Sequence, residues 1–152
     1  MRIGVISDTH GLVRPEVPDL LAGSDHILHA GDIGRAEVLE SLARIAPVTA
    51  IRGNIDTADW AGAYPATDAL DLGGRFFYLL HDLKQIDIDA SAAGFDVVVC
   101  GHSHKPMAHR SNGVLYLNPG SAGPRRFNLP ISLATLHLAA DEIVYEFHEI
   151  EG

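Results

Sequence analysis

Residues 96–107 read DVVVCGHSHKPM. Val97, Val98, Val99 and Cys100 form a short apolar run rich in β-branched side chains, the pattern of a fully buried strand. The run stops at Gly101, and His102, Ser103 and His104 follow. Histidines are common in loops, so one such pair decides little. Its meaning depends on where the other strands lie and on what stands at their ends.

Working outward, "RIGVIS" (2–7), "HILHA" (26–30) and "PVTAIRG" (47–53) have strand character. Between them lie "RPEVPDLLAG" (14–23), with prolines near its start and Gly23 as its stop, and "GRAEVLESLARIA" (34–46). In the second, Val38, Leu39, Leu42 and Ile45 recur at helical spacing. Strand, helix, strand, helix, strand at this spacing predicts a parallel sheet with right-handed crossovers. After the irregular "NIDTADWAGAYP", the runs "TDALDL" and "RFFYLL" flank Gly73-Gly74 and predict a β-hairpin. A weaker helix is expected over 83–94, a buried strand over 95–100 and another over 113–118. "ISLATLHL" and "EIVYEFHEI" around "AADE" predict a closing hairpin. Parallel units at the front and hairpins at the back imply an α/β fold of two packed sheets with helices outside. No low-complexity tract, internal repeat or linker divides the chain, so residues 1–152 read as one domain.

The strand ends then fall into a pattern. The first strand ends in Asp8-Thr9-His10, the second in Gly31-Asp32 and the third in Gly53-Asn54. "FFYLL" ends in His81-Asp82, and "VVVC" in Gly101-His102-Ser103-His104. Taken alone, His10 reads as a loop histidine, and Asp32 or Asn54 as a turn or cap residue. Recurrence at matching topological positions overturns that reading, because ligands of open α/β sheets bind outside the carboxyl ends of strands. Glycine beside a ligand lets the backbone turn sharply and lets neighbouring loops crowd together.

Two aspartates, one asparagine and four histidines without a thiolate are too many groups for one tetrahedral zinc, and the wrong set for calcium. They suit two borderline divalent ions that share a bridging carboxylate and leave room for water. With a bridging hydroxide such a pocket keeps about one net positive charge, enough to attract a phosphate anion. The chain itself carries a net charge of −9 with its nine histidines neutral. That argues against charge-driven binding of nucleic-acid polymers or anionic membranes. No apolar run approaches the roughly 20 residues of a membrane span, and the start lacks the pattern of a signal peptide. The lone Cys100 reads as a small buried residue and fits a reducing cytoplasm. His26, His29, His109, His137 and His148 stand away from the strand ends and read as structural or surface residues.

D-x-H, G-D, G-N, a lone H and G-H-x-H, in that order from Asp8 to His104, resemble the calcineurin-like metallophosphoesterase superfamily. "VISDTHG", "HAGDI" and "LNPGSAGPRR" make the chain most similar to its small YfcE-like bacterial and archaeal phosphodiesterases. The resemblance implies the metallo-dependent phosphatase fold, a four-layer αββα sandwich of two mixed sheets flanked by helices. It further implies two divalent metal ions, most often Mn²⁺, with Fe, Zn, Ni or Co as alternatives. Asp8, His10 and His104 would hold one ion, Asn54, His81 and His102 the other, and Asp32 would bridge them. A hydroxide bridging the ions would attack a phosphodiester in line, with Asp32, Asn54 and His102 as catalytic residues.

Two positions depart from the pattern. Many members continue G-N with a histidine that serves as general acid; here it is Ile55, a loss the YfcE-like group shares. The lone metal histidine is usually followed by glycine, and here by Asp82, which reads as an orienting partner of His81, an extra anion or a solvated loop residue. Arg125 and Arg126 offer either a phosphate contact or a surface or subunit contact, and Asn118 and Ser121 read as turn residues. Trp60 and Tyr64 could stack on a base or serve packing. The expected activity is phosphodiester hydrolysis on a small substrate in the cytoplasm, by a homodimer or larger homo-oligomer. The alternatives are a phosphomonoesterase using the same site, or a noncatalytic protein-interaction scaffold of the retromer-subunit type.

Overall fold

A computed structural model describes residues 1–151. β1 (Arg2–Ile6), β2 (His26–His29) and β3 (Val48–Ala50) run parallel, joined by α1 (Val17–Leu21) and α2 (Ala36–Ala43). The hairpin of β4 (Thr67–Leu72) and β5 (Arg75–Leu80) follows, then β6 (Val97–Val99), β7 (Met107–Ser111) and β8 (Val114–Asn118). A second hairpin, β9 (Ile131–Leu138) and β10 (Ile143–Ile150), closes the chain. The strands make two five-stranded sheets, ordered β10-β9-β1-β2-β3 and β4-β5-β6-β8-β7. Each holds three parallel strands: β1-β2-β3 at one edge of the first sheet, beside antiparallel β9 and β10, and β5-β6-β8 at the centre of the second, between antiparallel β4 and β7.

Strand alternation divides the apolar side chains into three cores. Ile3, Val5 and Leu28 of the first sheet face Phe77, Val97 and Leu117 of the second, and this layer holds the sheets together. On the other face of the first sheet, Ile6 and Ile27 pack under Leu21 of α1 and Val38 and Leu42 of α2. The outer face of the second sheet is covered differently. Residues 83–94, where the sequence predicts a helix, hold only a 3₁₀ turn at Leu83–Gln85 and irregular backbone. Asp82 accepts the Lys84 N–H (3.1 Å) and Asp89 the Ala92 N–H (3.1 Å). Such local bonds compete with helix, and the β-branched Ile86 and Ile88 between them add to the bias. The segment still forms a fourth layer, because Ile86, Ala90 and Phe95 pack on the face carrying Val98, Cys100 and Val114.

β7 escapes the sequence reading because MAHRS is a largely polar edge strand without apolar alternation. Its one signal is Asn112-Gly113, both at positive φ, a two-residue hairpin turn into β8.

The parallel strands of both sheets end on one rim, and hydrogen bonds lock its loops to one another. The Asp8 N–H donates to the Gly31 carbonyl (2.9 Å), the His10 N–H to Asp32 (3.0 Å) and the Gly101 N–H to His81 (2.9 Å). The Ser121 hydroxyl donates to the Asp8 carbonyl (3.0 Å), and Asn118 Nδ2 to the Gly101 carbonyl (2.9 Å). Asn118 and Ser121 therefore do more than shape their own turn. Buried Asp56 accepts the N–H groups of Gly53 (2.8 Å), Ile33 (3.0 Å) and Gly34 (3.0 Å), clamping the loop after β3 to the loop after β2. His29 is fully buried: its Nδ1 accepts the Gly31 N–H (3.1 Å), which leaves the proton on Nε2 for Thr9 Oγ1 (2.9 Å). Thr9 in turn donates to the Ile33 carbonyl (2.9 Å).

Two outcomes follow from this wiring. Asp56→Ala strands three N–H groups and is expected to lower unfolding free energy by roughly 3 kcal/mol in urea titrations, with Asp56→Asn losing less. Burial pushes His29 down from 6.5 to about 4, outweighing the pull of Asp8 and Asp56. Its folded pKa lies below its unfolded value, so the unfolded chain binds the extra proton first. The stability it supports is complete above pH 6.5 and is lost as pH falls toward 4, by roughly 3 kcal/mol. Unfolding free energies of metal-free protein and of His29→Gln across this window check it; equal acid slopes would contradict it.

Candidate metal centre

Five of the candidate ligands, Asp8, His10, Asp32, His102 and His104, sit at positive φ, from 47° at His10 to 72° at His102. Among the described residues only two other non-glycine residues do, Asn112 in its hairpin turn and Phe127. The left-handed region costs a non-glycine residue about 1–3 kcal/mol and persists where surrounding contacts enforce it, chiefly at functional sites. Close loop approach adds to the constraint. A Cβ on Gly101 would sit 2.6 Å from Asp8 Oδ2, and one on Gly53 would strike the Asp32 carboxylate.

These loops bring Asp8, His10, Asp32, His81 and His104 to one point. Asp8 Oδ1 lies 3.3 Å from His104 Nε2, 3.8 Å from His81 Nε2 and 4.0 Å from His10 Nε2. Asp32 Oδ2 lies 3.2 Å from His81 Nε2 and 3.7 Å from His10 Nε2. Two groups of three form, Asp8-His10-His104 and Asp8-Asp32-His81, each with its ligand atoms within 4.8 Å of one another. Asp8 is the member they share, so both carboxylates, and not Asp32 alone, stand between imidazoles.

The outer atoms of these side chains are anchored. Asp8 Oδ2 accepts the Ser7 hydroxyl (2.7 Å) and the His102 N–H (3.1 Å), while Asp32 Oδ1 accepts the Ile55 N–H (3.2 Å). His81 Nδ1 donates to the Ala30 carbonyl (2.7 Å), which leaves Nε2 as the lone-pair nitrogen of the neutral ring. A second hydrogen bond of this kind orients metal-ligating histidines generally. The inner atoms are not anchored. Asp8 Oδ1, His10 Nε2 and His81 Nε2 are buried without a hydrogen-bond partner among the described residues. Orphaned buried acceptors cost about 1–3 kcal/mol each, and a cation satisfies all of them at once. The donor set and the inward orphans therefore fit divalent metal.

Without an ion, the same electrostatics favour a proton on His81 beside Asp32, positive charge where a cation would sit. Burial pushes the Asp32 carboxyl up, but adjacent His81, the Ile55 N–H and His10 outweigh it and hold Asp32 down at about 2. Burial pushes His81 down, and the neighbouring Asp32, the Ala30 carbonyl and Asp8 reverse that and raise it. Asp32 stays an anion across the working pH range.

The remaining two candidates stand at the edge. The His102 ring packs edge-on against His81, with centroids 5.3 Å apart, and its Nε2 faces Asp82 Oδ2 at 3.8 Å. Asn54 is exposed and lines a 360 Å³ cavity together with His81. His102 falls outside both groups of three. Asp82 caps the turn at Leu83–Gln85 and faces His102, and so does not touch His81 as an orienting partner. The Ile55 side chain is exposed while its N–H serves Asp32. Arg125 and Arg126 are exposed on the loop before β9. Burial pushes the Cys100 thiol up to about 12, so it packs as an apolar side chain. Ser7 and Asp56, which hold the site from behind, escape the sequence reading; Asp56 three residues after Gly53 carries the turn signal that could have found it.

No described helix is long and apolar enough to cross a membrane. The calcineurin-like phosphoesterase superfamily domain matches residues 1–141. A protein of Methanocaldococcus jannaschii named "Probable metallophosphoesterase" is 34% identical over 134 residues, covering 80% of this chain and 68% of that protein. Vps29 of Chaetomium thermophilum superposes over 99% of this chain and 88% of its own, with TM-score 0.85 at 18% identity. A structurally characterised archaeal phosphodiesterase gives TM-score 0.79 at 20% identity over 99% of this chain and all of its own. Escherichia coli YfcE, a phosphoesterase, gives 0.68 at 23% over 90% and 88%. With the family domain spanning most of the sequence and two five-stranded mixed sheets beneath the site, the chain belongs to the calcineurin-like phosphoesterase superfamily.

Proposed function

We propose that this metallophosphoesterase hydrolyses small phosphodiesters with two divalent metal ions, most readily Mn²⁺. The supporting observation is the convergence of two carboxylates and three imidazoles, with Asp8 Oδ1, His10 Nε2 and His81 Nε2 buried and without hydrogen-bond partners among the described residues. Asp8, His10 and His104 would hold one ion, His81 with Asn54 and His102 the other, and Asp32 would lie between them. Bound ions would supply Lewis acidity and an activated water. The chain's residues set the frame. Ser7, Ile55 and Ala30 aim the ligand atoms inward, and the packed rim fixes their separation.

In the displacement a P–O bond forms to the water oxygen, the P–O bond to one ester oxygen breaks, and that alcohol takes a proton. Ile55 cannot deliver this proton. General acid catalysis is typically worth 10²–10⁴-fold, so modest rates and a preference for good leaving groups are expected. The net charge of −9 favours a small diester over a nucleic-acid polymer.

The scaffold reading draws on the fold shared with Vps29 and on Ile55. A scaffold gains nothing from strained, partnerless ligands, which disfavours it. Purified protein with Mn²⁺ is expected to release nitrophenol from bis-p-nitrophenyl phosphate, faster than from the monoester, and to stop on chelation. Asp32→Ala should lose both ions and turnover together. Absence of chelator-sensitive release across Mn²⁺, Fe²⁺, Zn²⁺, Ni²⁺ and Co²⁺ would reject the hydrolase, and a faster monoester would reject diester preference.

A further inference from the structure

Beside His102 lies a second cavity of 630 Å³, which shares only Asp82 with the cavity lined by Asn54. We propose that it is a subsite for one ester arm of the diester, where Lys84 and Lys105 bind a second phosphate carried on that arm. This rests on the hydrolase reading above and adds the substrate class to it.

The distribution of charge carries the inference. The chain contains only two lysines, and both line this one cavity. Lys84 comes from the turn after β5, and Lys105 from the loop after β6. Both are exposed, and neither lies within 4.0 Å of a carboxylate oxygen among the described residues. The single acid in the lining, Asp82, is engaged with the Lys84 N–H and faces His102. Two ammonium groups against one occupied carboxylate make a locally positive wall on a protein of net charge −9. Free ammonium groups on flexible stems are point-charge binders of phosphate.

The rest of the lining suits the body of such an arm. Leu83 and Met107 are half-buried, Cys100 is buried, and together they give an apolar floor that a flat or aromatic group can cover. The 360 Å³ cavity lined by Asn54 differs: Arg52 there bonds the Tyr64 carbonyl, and Asp82 and Asp87 share its wall. The asymmetry assigns the phosphate-bearing arm to the lysine side.

The test compares the p-nitrophenyl ester of thymidine 5′-phosphate with the same ester bearing a 3′-phosphate. The 3′-phosphate is expected to lower KM by about tenfold or more in the wild type, and the Lys84→Met/Lys105→Met double variant should erase that ratio. The ratio is internal to each variant, so a change in overall turnover does not mask it. Calorimetry with Mn²⁺ present provides a readout independent of turnover. Thymidine 3′,5′-bisphosphate should bind about tenfold more tightly than thymidine 5′-monophosphate to the wild type, and equally to the double variant. A preference that survives both substitutions, or a wild type that does not discriminate, overturns the subsite. Lysine-dependent bisphosphate binding without turnover of any diester would retire the hydrolase and keep the subsite. Turnover of both esters at lysine-independent ratios would do the reverse.

Discussion

Everything at the rim hangs on one buried carboxylate. Asp8 lies at the end of β1 with no solvent exposure. Its N–H is tied to Gly31, its carbonyl to Ser121, and one carboxylate oxygen to Ser7 and the His102 N–H. Those bonds span both sheets. The other oxygen is left facing three imidazoles. A carboxylate so held cannot turn away to find a donor. The fold therefore concentrates negative charge and lone pairs where only a cation relieves them.

The same logic explains the backbone around it. Left-handed φ at Asp8, His10, Asp32, His102 and His104 is unfavourable locally, and the Asp56 clamp and the His29–Thr9 bridge are positioned to enforce it. The layer between the sheets supplies the rest, because it sets how far the strand ends stand apart. Apolar packing and a polar scaffold thus cooperate to hold a geometry that neither would adopt alone. Such stored strain marks a site whose ligands must be positioned before the ion arrives.

Much of this was legible in the sequence because strand ends carry polar residues for few other reasons. The parallel units follow from apolar runs that alternate with helical spacing, the hairpins from paired runs around short turns, and the candidate ligands from polar residues just past the strand ends. The helix expected over 83–94 does not form, since Asp82 and Asp89 hold local turns that helical periodicity does not register. β7 stayed hidden because an exposed edge strand needs no apolar alternation. Ser7 was missed because a serine bonding the next residue's carboxylate leaves no pattern, and Asp56 because its position three residues after Gly53 reads as an ordinary turn. The sharing of Asp8 between both ligand groups likewise depends on side-chain reach across two sheets.

The most direct test of the central claim is electron paramagnetic resonance of the metal-free protein titrated with Mn²⁺. Two equivalents should give the broad, exchange-coupled signal of two ions a few ångströms apart, as expected if the seven ligands frame a shared site. An isolated six-line spectrum at every ratio, or no uptake at all, would contradict it.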